Sequence, residues 1–428
     1  MKLSKWQRAT ALACLSWQLT LGAAAEVEEV PATETLITAE DMMQAGFLDF
    51  QQSEEPVLVN PAADAYQFYI TDLESRQGAY ASGLAEQLVG LGRSYHEQGL
   101  FEEAVKVLKR AVHVSRINNG LNDAAQIPLL EQLIQSLIAK GDYEIADERQ
   151  YYLYRLQRRL YSANDPQMSA AMMRRARWEQ QAYALAVGEE SFNRLLNMWQ
   201  LYSRVVNNIA QTEGSGSVLL LEPLNGMVET QYLIAAYDGE NNSGIQFGEA
   251  GSGNPDVARF DLIQVNNYKQ GQAVLGAIRD VLRANENPQS SKSAEALIDL
   301  GDWMQWHGNL RAAEEVYREA WAELSLLEDA DSLLNYHFGS PQLVPTLSGA
   351  HRDLEPPAAI SGYAELSYTV NTRGRVYDLE LVSNQPGEAT PDAEPNILMR
   401  RLQRKLFRPR YENGEPADTV NITKRYAY

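Results

Sequence analysis

Leu88-Val89-Gly90-Leu91-Gly92-Arg93-Ser94-Tyr95-His96-Glu97-Gln98-Gly99-Leu100-Phe101-Glu102-Glu103-Ala104 decides the reading of this chain, because its spacing returns much later. Leu88, Leu91, Gly92, Tyr95, Gly99, Phe101, Ala104, Leu108 and Ala111 form one pattern. Leu297, Leu300, Gly301, Met304, Gly308, Leu310, Ala313, Tyr317 and Ala320 repeat it at the same offsets. Leu88, Leu91 and Tyr95 fall on one face of a helix. Gly99 and Gly308 suit the left-handed residue that ends a helix. Small residues at Gly92 and Ala104, or Gly301 and Ala313, let two antiparallel helices approach closely.

Searching for internal repeats first, we find a third, weaker copy. Leu130, Leu133, Ile134, Leu137, Gly141, Tyr143 and Ala146 keep the spacing, with Gln150 and Leu153 in place of the usual residues. Met172–Asn208 reads as a degenerate helical hairpin with a turn at Gly188. Gln211–Phe260 reads as an interruption of the array, rich in glycine, with a helix over Leu219–Tyr237 broken early by Pro223. The pattern resembles the tetratricopeptide repeat (TPR). That resemblance implies an α-solenoid over 61–338, with Leu88, Gly92, Tyr95, Ala104, Ala111, Gly141, Ala146, Leu297, Gly301, Gly308, Ala313 and Ala320 as its structural positions.

Length and composition bound the rest. The chain has 428 residues, 45% hydrophobic and 22% charged, which is ordinary for folded domains. A net charge of -20 argues against nucleic-acid binding, which needs a positive surface. Lys2, Lys5 and Arg8 precede an apolar run from Ala9 to Ala25, closed by small residues. This reads as an export signal cut after Ala25, giving a periplasmic protein; the alternative is an uncleaved inner-membrane anchor. Cleavage would remove Cys14, the single cysteine. Residues 26–60 form an acidic, irregular lead, and Glu26 to Ser75 holds twelve acids with no Lys or Arg.

No catalytic constellation is legible. The histidines His96, His113, His307, His337 and His351 show no metal-ligand spacing. His96 and His307 are expected on the helix surface, and Trp303, Trp306 and Trp321 as packing residues. The glycine-rich run Gly248–Pro255 lacks the lysine of a phosphate loop, and no nucleophile elbow occurs. The reading is a non-enzyme with no cofactor and no metal.

After Asp331 the composition changes, with Pro341, Pro345, Pro356 and Pro357 close together, and a proline-rich linker is expected over 339–360. Then Ala364–Val370 and Val376–Val382 alternate as strands around an Asn371–Gly374 turn. Leu398, Leu402 and Leu406 make a helix stripe, Asn413-Gly414 a turn, and Ala417–Tyr428 a last strand. Together with Gly374-Arg375-Val376, Phe407-Arg408-Pro409 and Asn413-Gly414-Glu415-Pro416, residues 361–428 resemble the TonB C-terminal domain. The fold expected is therefore mainly α, a TPR-like solenoid followed by a small α+β (ββαβ) domain. The TonB resemblance implies docking of an extended peptide at a sheet edge, as from an outer-membrane receptor, or contact with the cell wall. The edge would be Thr419, Val420, Asn421, Ile422, Thr423, Lys424, Arg425 and Tyr426.

The acid-free stretch Pro395–Tyr411 before it adds a basic group of Arg400, Arg401, Arg404, Lys405 and Arg408, on the helix and just past its end, suited to an anionic partner or to simple solvation. The function expected is a non-enzymatic periplasmic adaptor for envelope proteins, linked to outer-membrane transport. The alternative is a membrane-anchored TonB-type energy transducer.

Overall fold

A computed structural model describes residues 61–188, 191–237, 255–285, 287, 290–346, 354, 360, 362–386 and 394–428. The export signal, the acidic lead and most of the glycine-rich run lie outside the described residues, as do most of the linker and the loop after Pro386. The chain divides into two compact units, Met1–Gly141 and Asp142–Tyr428.

The first unit contains α1 (Pro61–Gln77), α2 (Leu84–Glu97), α3 (Phe101–Asn119) and α4 (Gln126–Lys140). Ala104, Leu108 and Ala111 are fully buried on α3. A methyl on Gly92 would sit 2.5 Å from Leu108 Cγ, so the crossing of α2 and α3 excludes any side chain there. At the end of α2, Gly99 takes φ 77°. Leu100 N–H reaches back to Tyr95 O at 2.9 Å, closing a left-handed cap.

The second unit opens with α5 (Tyr143–Leu160), α6 (Pro166–Ala184) and α7 (Ser191–Thr212). Asp165 caps α6 by accepting from Gln167 N, and Pro166 starts the helix where its missing N–H is harmless. Between α6 and α7, Gly188 takes φ 82°. Beside the apolar packing of this hairpin lies a buried ionic cluster shared with α5. Arg194 bonds Asp147 at 2.8 Å and Glu179 at 2.9 Å, Arg175 bonds Glu179 at 2.6 Å, and Trp178 Nε1 donates to Asp147 at 2.6 Å.

The described part of the expected interruption is helical and packs with the array. Leu221–Ala236 is α8, Pro255–Val265 is α9 and Asn267–Asn285 is α10, and α8 packs on both α7 and α10. Gly226 on α8 meets the Tyr202 ring of α7, and Gly271 on α10 meets the Trp303 ring of the helix that follows. Pro223 stands in the first turn of α8 and breaks nothing.

Lys292–Trp306 (α11) and Leu310–Leu324 (α12) repeat the first hairpin in detail. Ala313 and Ala320 are fully buried, Gly301 faces the Tyr317 ring, Gly308 takes φ 77°, and Asn309 N–H reaches Met304 O at 2.9 Å. Ala330–Phe338 is α13.

The remainder is a small mixed layer. Strands β2 (Gly362–Val370), β3 (Val376–Pro386) and β7 (Thr419–Ala427) form an antiparallel sheet in the order β3-β2-β7. On β2 the residues alternate between buried and half-buried, as period-2 geometry requires. Ala364, Leu366, Tyr368 and Val370 pack with Leu398 and Leu402 of α14 (Glu394–Arg404). Two departures from expectation occur. Gln342–Val344, expected in the linker, is β1 and pairs with β4 (Leu406–Arg408). Leu406, expected on the helix, belongs to β4 because α14 stops at Arg404. β5 (Arg410–Glu412) and β6 (Glu415–Ala417) form a hairpin through Asn413 and Gly414, at φ 52° and 82°.

Candidate docking surfaces

Among the described residues β7 is an edge strand, paired on one side with β2. Its register with β2 slips between Tyr368 and Val370, where Asn421 adopts φ 56°. From Ile422 to Ala427 the pairing runs without interruption, opposite Tyr368 to Tyr363. The other edge, β3, is broken twice by register shifts and by Asp378 at φ 48°. Bulges blunt an edge against pairing, so the 422–427 run is the flatter template.

Most side chains along β7 are exposed. Val420, Asn421, Thr423, Lys424 and Arg425 are exposed, Thr419 is half-buried, and Ile422 packs partly into the sheet core. Arg425 lies 4.1 Å from the Tyr363 ring centroid and donates to Gln385 Oε1 at 2.9 Å, crossing β2. Tyr426 stays on the expected edge, with its side chain turned inward. It is buried opposite Ala364, and its hydroxyl meets that of Tyr368 at 3.3 Å. Only its backbone is left for a partner.

The basic face is also smaller than expected. Arg400, Arg401 and Arg404 are exposed on α14, and Lys405 follows half-buried. Arg408 is not among them. The helix ends before it, and β4 carries it inward to 4% exposure, 3.2 Å from Asp302. Tyr317 also donates to Asp302, at 2.7 Å, and Arg408 lies over the Phe338 ring. Burial pushes the Asp302 carboxyl above its ordinary range, against the opposing pull of Arg408 and Tyr317.

Around this pair the mixed layer is fastened to the last hairpin. Gln305 Nε2 donates to Arg373 O at 2.8 Å and to Phe407 O at 2.9 Å. The Tyr411 ring packs with Tyr317, Trp321 and Phe338, and Arg318 bonds Glu415 at 2.7 Å. Sequence reasoning missed Asp302 and Gln305. The available signal was two polar residues beside Gly301 on the buried side of a repeat helix.

In the first unit, Gln67, Ile70, Thr71, Tyr95, Lys106 and Arg110 line a groove of about 430 Å³. Gln67 donates to the Tyr95 hydroxyl at 2.6 Å, and Arg110 pairs with Glu74. The two histidines expected at the surface are not free there. His96 Nδ1 lies 3.0 Å from Ser136 Oγ. His307 is half-buried against Trp303, Trp306 and Tyr268. Trp303 is fully buried and Trp321 packs on Phe338. Among the described residues no group of acids and histidines could hold a metal ion, and no helix is long and apolar enough to cross a membrane.

No protein-family model matches the chain, and no curated protein matches it. Solved structures match part of the chain at low similarity. One, described as kinesin light chain TPR-like repeats from Podosopora anserina, is 14% identical with a TM-score of 0.38, covering 56% of this chain and 94% of its own. Another, BtubC (BKLC) from P. vanneervenii, is 12% identical with a TM-score of 0.37, covering 67% and 94%. The description of the hairpins as TPR-like rests on their own geometry: the buried glycine and alanine crossings and the matching caps at Gly99 and Gly308.

Proposed function

We propose that this chain is a non-enzymatic protein-interaction scaffold of the bacterial envelope, exported to the periplasm. Its TPR-like hairpins hold one partner, and its TonB-like mixed layer docks an extended peptide on β7. The uninterrupted pairing register of Ile422–Ala427, at a sheet edge whose opposite side is twice bulged, carries the docking part. Export rests on the basic, apolar and small-residue succession up to Ala25. Linkage to outer-membrane receptors rests on the TonB resemblance of residues 361–428.

The experiment is selection of displayed random peptides on the full chain, followed by binding of the enriched peptides to Lys424→Pro and Arg425→Pro. Along an edge strand, neighbouring N–H groups point alternately to the partner strand and outward. One proline variant should therefore disturb the fold, and the other should stay folded and lose the peptides. Circular dichroism identifies which is which. A folded proline variant that binds like the parent overturns docking at β7. Finding Glu26 as the mature N-terminus in a periplasmic fraction supports export and cleavage; Met1 in the membrane fraction overturns them in favour of an anchored transducer.

A further inference from the structure

Residues 149–177 contain Arg149, Arg155, Arg158, Arg159, Arg174, Arg175 and Arg177 against one acid, Asp165. The rest of the chain carries -26 by the same count, with 30 basic and 56 acidic residues. Arg175 is spent inside the ionic core and Arg177 pairs with Glu222. Arg155, Arg158 and Arg159 lie exposed along one side of α5 with Tyr151. Residues three and four apart on a helix are neighbours, and no such neighbour of Arg155 or Arg158 is acidic. Among the described residues the contacts of these two guanidinium groups are aromatic. Arg155 Cζ lies 5.8 Å from the Tyr151 ring centroid, and Arg158 Cζ lies 6.0 Å from that of Tyr154.

We propose that this arginine–tyrosine face of α5 docks an acidic segment of a partner protein, at a surface separate from the β7 edge. Charge complementarity is the first argument: a positive stripe on an otherwise strongly negative chain attracts acids locally while the remainder repels them. Preorganisation is the second. Tyr154 packs against the hydrophobic core, so the guanidinium above it is held in place before a carboxylate arrives, and less side-chain freedom is lost on binding. The positive charge that suits any helix C-terminus accounts for Arg158 and Arg159. It does not account for Arg155 in mid-helix. A lipid surface fits less well, since an interfacial helix needs an apolar face to insert and this face offers one large apolar side chain, Tyr151. A nucleic acid would be repelled by the surrounding charge.

The test measures fluorescence polarisation of a labelled glutamate-rich peptide with the full chain, against a peptide in which every Glu is Gln. Arg155→Glu with Arg158→Glu should weaken binding by about tenfold or more. Lys292→Glu with Arg311→Glu, the same charge change at exposed positions elsewhere, should leave it unchanged. Added salt should weaken binding to the parent. Circular dichroism confirms that both double variants keep the fold. Equal binding of the Glu and Gln peptides, or equal loss in both double variants, overturns the proposal. So does binding of the parent to vesicles containing phosphatidylglycerol but not to the peptide, which would make the face a lipid contact.

Discussion

Gly92 and Gly301 show how little space the hairpin crossings leave. At Gly301 even a methyl group meets the Tyr317 ring. Gly301→Ala should lower stability by about 1–3 kcal/mol through overpacking, seen as a lower midpoint in thermal melting. Asp302, its neighbour, is a different kind of constraint. Arg408→Met leaves a fully buried carboxylate without its cation and should cost about 3–5 kcal/mol. Adding Asp302→Leu should recover most of that loss, because an apolar pair of similar volume needs no compensation. Melting curves of the two single variants and the double variant give the coupling directly.

His307 makes stability depend on pH. Burial holds its pKa below the ordinary imidazole value, and Nε2 is buried without a hydrogen-bond partner. The unfolded chain therefore takes up the proton first as the pH falls. Stability tied to this group is present above about pH 6.5 and is lost below it. His337 shifts in the same direction and adds to the loss. Replacing His307→Phe removes only its own share, so the melting temperature of the variant should fall less steeply than that of the parent between about pH 7 and 5.

At the scale of elements, α14 depends on a narrow stripe. Leu398 and Leu402 are buried, whereas Leu406 has already passed into β4. Leu402→Ala should cost about 2–5 kcal/mol and loosen the sheet, read by faster amide exchange along β2.

The repeats at Leu88–Ala111 and Leu297–Ala320 were legible because close helix contact is a local steric demand, written as small residues at fixed offsets. The Asn413-Gly414 turn was legible for a similar reason, since two positive φ angles in succession leave few residue choices. α8 and α10 were legible as helical stretches, but their packing into the array was hidden. Their glycines, Gly226 and Gly271, meet the bulky Tyr202 and Trp303 of other helices, so no fixed spacing announces the contact. Arg408 was misplaced because a stripe of basic residues continues past the end of the helix. Sequence periodicity does not show that the backbone turns inward after Arg404. The flat part of β7 was legible as a strand, but its bulge at Asn421 was not, since Asn is ordinary in polar strands and turns alike.

At the scale of the second unit, the mixed layer covers the end of the last hairpin. Repeat arrays need such a cover, because a terminal repeat has one neighbour fewer. A chain ending at Gly339 would expose Phe338, Tyr317 and Trp321, which now pack on Tyr411. It should melt at a lower temperature than the full chain and bind a dye for exposed apolar surface. Unchanged melting with no dye binding would mean that the cover contributes nothing to the helices.

The Asp302–Arg408 pair spans 106 positions of sequence, and this separation sets an order in time. A ribosome adding about 5–20 residues per second makes Asp302 on the order of 5–20 s before it makes Arg408. During that interval the carboxylate has no guanidinium, and the wall formed by Phe407 and Tyr411 does not yet exist. The earlier hairpins can close as they emerge, while the last one has to wait for Phe407, Arg408 and Tyr411.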